Sequence, residues 1–412
     1  MQRDTYSDLA GIFGYPFYIY EENSIAARLT LLREIFPGFE VLYSVKTNPH
    51  PAILRFMAAN GAGADAASAN EVNAAFAAGF RQDMIFYSAP GKTDEQLDET
   101  FGKCPITADS YGELARLDAL GARRESAMPV GLRINPDISL GMGEFPEVCP
   151  GVSMKFGEDE ETLLPRKEFC NGLNHARPSG IHVFLRSQVR NAHSIAATLE
   201  AVFKIALRCR QELGWDIHFV NFGSGLGIPY GDGTPALDTG ALRDAVGDMV
   251  GRYSGQLPGC RLLLESGRFL VGTAGTFVSR IVDIKESRGR TYCITPGGLS
   301  GFLRPSVMSL LNALPFPVQG PLEPLFSNEG AHEVRLPEKD SGALKTVTVC
   351  GNLCTALDVM AKDVELPSPE VGDIVAVNNA GAYSASLSPF AFASFPRPVE
   401  LYRNCDGAVT TS

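Results

Sequence analysis

The chain has 412 residues, 45% hydrophobic and 20% charged, which suits a globular protein with one large barrel and a second core and excludes a disordered or fibrous chain. A formal net charge of −11 without a compensating basic block argues against nucleic acid and anionic membranes as partners, while leaving a locally basic pocket open. None of the nine cysteines forms a C-x-x-C pair, the six histidines lack metal-ligand spacing, and no apolar run approaches the roughly 20 residues of a membrane span. No metal site is expected. The opening Met1-Gln2-Arg3-Asp4-Thr5 lacks the apolar core of a secretion signal, so a reducing cytoplasm with free thiols is the expected location.

In chain order, Phe17-Tyr18-Ile19-Tyr20 predicts a strand that joins a β domain formed further along. From about residue 38 to 270, short apolar runs alternate with segments of helical spacing. Strands are predicted near 40–45, 62–65, 84–87, 105–108, 129–134, 180–184, 217–222 and 261–265. Ser68-Ala69-Asn70-Glu71 has the pattern of a capping box, and the segment from Ser194 to Gly214 carries Ile195, Leu199, Val202, Phe203, Ala206 and Leu207 on one face. Residues 136–176, rich in Gly, Pro and acids, predict a long barrel loop with a lid role. Eight strands separated by helices predict an α/β fold, a (β/α)8 TIM-like barrel over 26–273 with its chemistry at the C-terminal strand ends. After about 274 the runs become β-branched and alternating, as in Thr276–Val282 and Lys345–Val349, so 1–25 and 274–412 are expected to build a β-sandwich or β-barrel domain.

Lys46 closes the apolar run Val41-Leu42-Tyr43-Ser44-Val45. A lysine there is either the neutral amine that forms a Schiff base with an aldehyde cofactor, or a side chain emerging at the exposed end of a strand. Asn221-Phe222-Gly223-Ser224-Gly225-Leu226-Gly227 follows a predicted strand and offers unobstructed backbone donors for a phosphate, although glycine turns after strands are common. Glu265 ends the last predicted strand, where it can hold a pyridine nitrogen protonated, pair with Arg268, or cap the next element. His182 can stack on a cofactor ring or be a satisfied barrel histidine.

Taken together, Tyr43-Ser44-Val45-Lys46-Thr47-Asn48, Gly180-Ile181-His182-Val183, Gly223-Ser224-Gly225, Glu265-Ser266-Gly267-Arg268, Cys354-Thr355-Ala356-Leu357-Asp358 and Gly381-Ala382-Tyr383 make the chain resemble the fold type III pyridoxal phosphate decarboxylases, the ornithine and diaminopimelate decarboxylase relatives. The resemblance runs through nearly the whole chain. It implies pyridoxal 5'-phosphate as cofactor, Lys46 as the Schiff-base lysine, His182 on the ring and Glu265 at the pyridine nitrogen. Gly223, Ser224, Gly225 and Gly227, with Gly267, Arg268 and Tyr383, are implied around the phosphate. Asp65 and Ser68 match a short acidic motif near the cofactor, and Glu71 belongs with them or serves only its helix cap. Cys354 matches the cysteine that returns a proton to the substrate carbon after carbon dioxide leaves; taken alone, a single cysteine reads rather as a small buried apolar residue. The resemblance also implies a homodimer with shared sites, in which Lys46 of one chain faces Cys354 and Asp358 of the other.

Diaminopimelate enzymes carry a glutamate after this cysteine and ornithine decarboxylases an aspartate, whereas this chain has Thr355. A free distal ammonium therefore loses its expected partner. The Cys354–Asp358 string is more similar to a Cys-Thr-Pro-Leu-Asp subgroup that includes the butirosin-type decarboxylase of glutamyl carrier-protein thioesters and the exosortase-associated enzymes. Siderophore decarboxylases acting on citryl-diaminopropionate share the Cys-Thr-Pro element. The resemblance thus implies an amino acid or conjugated amino acid in a secondary-metabolite pathway, with Arg186, Thr355 and Asp358 as candidate substrate contacts. Departures from the subgroup are Leu185 and Arg186 after the stacking histidine, Ser224 for a glycine, Pro296 for an aspartate and Ser384 for a glycine. Arg186 either pairs with a substrate carboxylate or the phosphate, or points to solvent. Decarboxylation of free diaminopimelate, ornithine or lysine, an amino-acid racemase, and a catalytically silent binding protein are the alternatives; carbon dioxide release and a cofactor absorbance band separate them.

Overall fold

A computed structural model describes residues 5–137, 154–230, 235–312, 331–339 and 341–411. The chain divides into two compact units. One comprises residues 29–227 and 237–267, the other 1–28, 228–236 and 268–412.

The first unit is a closed barrel of eight parallel strands: Phe39–Ser44, Gly63–Ala66, Ile85–Ser88, Ile106–Ala108, Val130–Asn135, Pro178–His182, Phe219–Asn221 and Arg261–Ser266. The last strand pairs with the first, Glu265 opposite Leu42, which closes the ring. Side chains of a strand alternate faces, so inward positions recur every second residue. Leu42, Met84, Phe86, Phe219 and Leu263 pack together as an apolar floor. The Phe219 ring lies where Gly131 and Gly180 have no side chain: an added Cβ would stand 2.9 Å and 2.4 Å from its Cζ. Two residues further along each strand, the next inward position is polar: Ser44, Asp65, Ser88, Arg133, His182, Asn221 and Glu265, with Asp109 beyond Thr107. A dry floor thus supports a polar layer at the C-terminal strand ends.

The helices follow from local signals. Ser68 accepts the Glu71 N–H at 3.1 Å and starts the helix Ala69–Ala78. The reciprocal bond of the expected capping box is displaced by one residue, because the Glu71 carboxylate accepts the Ala67 N–H at 2.7 Å. Asn191 caps Ala192–Arg208, which buries Ile195, Leu199, Val202, Phe203 and Ala206 before a π-turn at Cys209–Leu213. Within the expected loop 136–176, residues 138–153 lie outside the described residues. The rest is not all loop: Glu158–Asp159 pairs with the strand Val130–Asn135, and Lys167–Gly172 is helical.

In the second unit, Phe17–Glu21 runs between Gly275–Arg280 (antiparallel) and Val399–Arg403 (parallel) in a six-stranded sheet. Phe17, Ile19, Val278, Ile374 and Leu401 form its core with Leu9 from the N-terminal helix Tyr6–Phe13. A four-stranded sheet combines Asp283–Ser287, Arg290–Ile294, Leu344–Cys350 and Val359–Pro367. Among the described residues, no helix is long and apolar enough to cross a membrane.

The barrel wall contains a buried ion pair. Lys92 Nζ donates to Glu113 Oε1 at 2.6 Å and to the carbonyls of Ala89 and Thr107 at 2.8 and 2.7 Å. Burial pulls the lysine down and pushes the carboxyl up, each opposed by the other's charge. Lys92→Met should cost about 3–5 kcal/mol, because it strands a buried carboxylate, whereas Lys92→Met combined with Glu113→Leu should recover most of the loss; denaturant unfolding of the three proteins checks this.

Candidate active site

The polar layer converges on two carboxylates. Glu265 Oε1 accepts the Asn221 amide N–H at 2.8 Å and lies 3.1 Å from His182 Nε2, while His182 Nδ1 lies 3.0 Å from Ser88 Oγ. Burial works against ionisation of Glu265, but His182, Lys46 and Asn221 outweigh it and hold the carboxyl at about 2. Asp65 goes the other way: burial and the neighbouring Glu265 charge push it up, against the pull of Lys46 and His182. Lys46 sits in the 3-10 turn Val45–Thr47 at the end of the first barrel strand, its Nζ 3.3 Å from Asp65 Oδ2 and its side chain 45% exposed. The amine is therefore presented at the mouth of the barrel and is not buried in the strand. Gly267 permits this turn, since a Cβ there would lie 1.9 Å from Thr47 Oγ1. Burial also pulls Arg133 down, against Glu265, Asp109 and Asp65, and its guanidinium stands 3.9 Å from Asp109.

The glycine loop has a reason of its own. Gly223 and Gly225 have φ of +59° and +63°, and a Cβ on Gly225 would lie 1.7 Å from the Arg186 carbonyl oxygen. The loop is laced to the segment after His182: Val189 N–H donates to Gly225 O and Gly227 N–H to Val189 O, both at 2.9 Å. Ser224, in place of a glycine, donates its hydroxyl to the Glu265 carbonyl. Arg186 is half-buried and shares a small recess with Leu185, Phe222 and Ser224.

In the second unit, buried Arg268 and Arg304 both donate to one phenol, Tyr230 Oη, at 2.8 and 3.4 Å, and Arg304 also donates to Ala382 O at 3.0 Å. Burial raises the Tyr230 phenol, but the two guanidiniums prevail and lower it. Burial and Arg304 push His332 down to about 3. The Arg268 guanidinium lies 5.1 Å from the Tyr383 ring, and Tyr383 has φ +55°, a costly conformation for a residue with a side chain and typical of functional sites. Ser384 donates to Ala382 O at 3.3 Å. Cys354 is exposed, and Thr355 Oγ1 accepts the Leu357 N–H at 3.3 Å. Asp358, expected as a substrate contact, is buried, and its oxygens accept the backbone N–H groups of Leu299 and Leu353 at 2.5 and 2.8 Å.

Sequence reasoning missed Ser88, Arg133 and Asn221, whose signal was the two-residue spacing from inward floor residues, and Tyr230, Arg304 and His332, which only the folded unit brings together. Within the barrel an accessible amine, a buried imidazole and a buried ionised carboxylate converge. This donor set suits an aldehyde with an aromatic nitrogen ring: the amine can bond the aldehyde, and the carboxylate has the charge to receive a ring N–H.

Residues 22–272 match the family of the pyridoxal-dependent decarboxylase, pyridoxal binding domain. The chain belongs to the fold type III pyridoxal phosphate-dependent decarboxylases, carboxy-lyases acting on amino acids, and pyridoxal phosphate is its cofactor. It is similar to L-glutamyl-[BtrI acyl-carrier protein] decarboxylase of Niallia circulans, 30% identical over 95% of this chain and 89% of that protein. It is also 30% identical to the diaminopimelate decarboxylase of Methanothermobacter thermautotrophicus, over 96% of this chain and 88% of that one. Among solved structures, diaminopimelate decarboxylase from M. jannaschii with L-lysine superposes with a TM-score of 0.86 at 26% identity, covering 98% of this chain and 90% of the other.

Glu265 has a folded pKa below its unfolded value, so the stability it contributes is present above about pH 4.5 and is lost as pH falls toward 2. Glu265→Gln should flatten the decline of stability across that window, a difference of up to about 3 kcal/mol at neutral pH, read by denaturant unfolding as a function of pH.

Proposed function

We propose that this decarboxylase acts on an α-amino carboxylate whose far end is already conjugated, either a glutamyl-type thioester on an acyl or peptidyl carrier protein or a siderophore precursor, in a secondary-metabolite pathway. The observation that carries the reading is Thr355. It stands where relatives that hold a free ammonium have an acid, and a neutral hydroxyl, which accepts the Leu357 N–H within its own loop, supplies no counter-charge for an ammonium. The similarity to the carrier-protein decarboxylase of Niallia circulans supports the same reading. The similarity to diaminopimelate decarboxylases keeps a free diamino acid as the second reading.

The cofactor supplies an electrophilic aldehyde and a sink for the electron pair left when carbon dioxide departs. Lys46 would hold it covalently, and Asp65, 3.3 Å from the amine, can take up its proton. The ionised Glu265 would receive the ring N–H, and His182, held between Ser88 and Glu265, would pack against the ring. Ser68 and Glu71 support the Asp65 side of the site. By the family resemblance, Gly223, Ser224, Gly225 and Gly227, with Gly267, Arg268 and Tyr383, would hold the phosphate. Arg186 is a candidate partner for a substrate carboxylate. Replacing a carboxylate by hydrogen consumes one proton, which the Cys354 thiol delivers at the former α-carbon and recovers from solvent. Cys354 serves the site of the second chain in a homodimer.

Carbon dioxide release should be seen only from a conjugate in a panel of free lysine, ornithine, diaminopimelate and glutamate, a glutamyl thioester on carrier protein, and a citryl-diaminopropionate conjugate. Fast release from a free diamino acid would overturn the assignment. Lys46→Ala should abolish release and the visible cofactor band. Mixing inactive Lys46→Ala with impaired Cys354→Ala chains should restore about a quarter of full activity, because half the dimers then carry one intact site of two. Absence of any gain would exclude shared sites.

A further inference from the structure

We infer that Asp358 is a positioning residue for the reaction: its buried carboxylate clamps the loop bearing Cys354 to the turn at Gly298–Leu299 and so fixes where the thiol stands. The inference rests on the reading of Cys354 as proton donor.

The clamp is built from both sides. One Asp358 oxygen accepts the Leu299 N–H at 2.5 Å and the other the Leu353 N–H at 2.8 Å, so one carboxylate ties two separate loops. The loops leave room for it only because both carry glycine. A Cβ on Gly298 would lie 2.1 Å from Oδ1, and one on Gly351 2.1 Å from Oδ2. The Cys354 loop closes on itself through Gly351 N–H to Asp358 O at 3.0 Å and Asp358 N–H to Thr355 O at 3.3 Å. Cys354 follows the held Leu353 directly. Its side chain is exposed and makes no hydrogen bond among the described residues, so the backbone alone sets its place.

The clamp also runs against ordinary energetics. Burial pushes the Asp358 carboxyl up, and the two backbone N–H groups oppose that shift. Among the described residues no cation pairs with it. A buried carboxylate held by amides alone is a costly way to close a turn, whereas charge-assisted bonds hold two loops at a shorter and more directional separation than neutral groups would.

Asp358→Asn keeps the shape but sets an amide N–H against one of the two backbone donors. In the holoenzyme, with a substrate that releases carbon dioxide, kcat should fall about tenfold or more while KM and the cofactor band stay near wild type, since only proton delivery is affected. Turnover in deuterium oxide should give amine product that has lost its single-handed deuterium label, as in Cys354→Ala. Alkylation of Cys354 by iodoacetamide, followed by peptide mass spectrometry, should change rate at least about threefold. Wild-type kcat and alkylation in Asp358→Asn would overturn the clamp. If Cys354→Ala itself keeps wild-type rate and label, the donor reading fails, and alkylation then decides the clamp alone: an altered rate supports it, an unaltered rate overturns it. Should Asp358→Asn fail to fold, Asp358→Glu, which retains both oxygens one methylene displaced, carries the same measurements.

Discussion

The alternation of a parallel strand underlies the chemistry of this protein. An inward-facing residue is followed two positions later by another, so eight strands that bring Leu42, Phe86, Phe219 and Leu263 to the floor must bring Ser44, Ser88, Asn221 and Glu265 to the layer above. The floor has room for the Phe219 ring only because Gly131 and Gly180 face it. Asp65 and Glu265 are buried above this floor, and the charges of the layer then govern one another. Glu265 is held ionised and Asp65 is pushed toward its neutral form, although the charge of Lys46 favours the ionised form of both. Two acids of like chemistry thereby acquire different proton-holding properties, which is what a reaction needing both a fixed charge and a proton acceptor requires.

Much of this was legible in the sequence. The eight barrel strands lie within about two residues of where the apolar runs predict them, and Lys46, Asp65, His182 and Glu265 are gathered in one layer as their positions at strand ends imply. What was not legible concerns register and distance along the chain. Arg133 and Asn221 are ordinary polar residues until the floor below them identifies their face. Tyr230, Arg304 and His332 come from remote segments, and nothing local marks them as neighbours. Glu71 forms the expected kind of bond, but with Ala67 and one residue away from the capping-box position. Asp358 reads as a substrate contact in its motif, and only the positions of Leu299 and Leu353 reveal that each oxygen accepts a backbone N–H.

The two units contribute different kinds of electrostatics. The barrel layer balances acids against one lysine, one imidazole and one guanidinium. The second unit buries two guanidiniums on a single phenol and keeps His332 neutral beside them. A phenol that receives two cationic donors carries more negative character than tyrosine ordinarily has, so Tyr230 partly substitutes for a carboxylate in holding them.

The lacing of the glycine loop to residues 183–190 constrains how this enzyme can diversify. The segment after His182 carries two of the chain's departures from the subgroup pattern, Leu185 and Arg186, yet the Arg186 backbone occupies the space that any Cβ on Gly225 would need, and Val189 bonds to Gly225 and Gly227. Drift in that segment cannot be silent at the glycine loop. A lineage that remodels it must reshape the glycine loop in the same step, so the two segments are inherited as one unit.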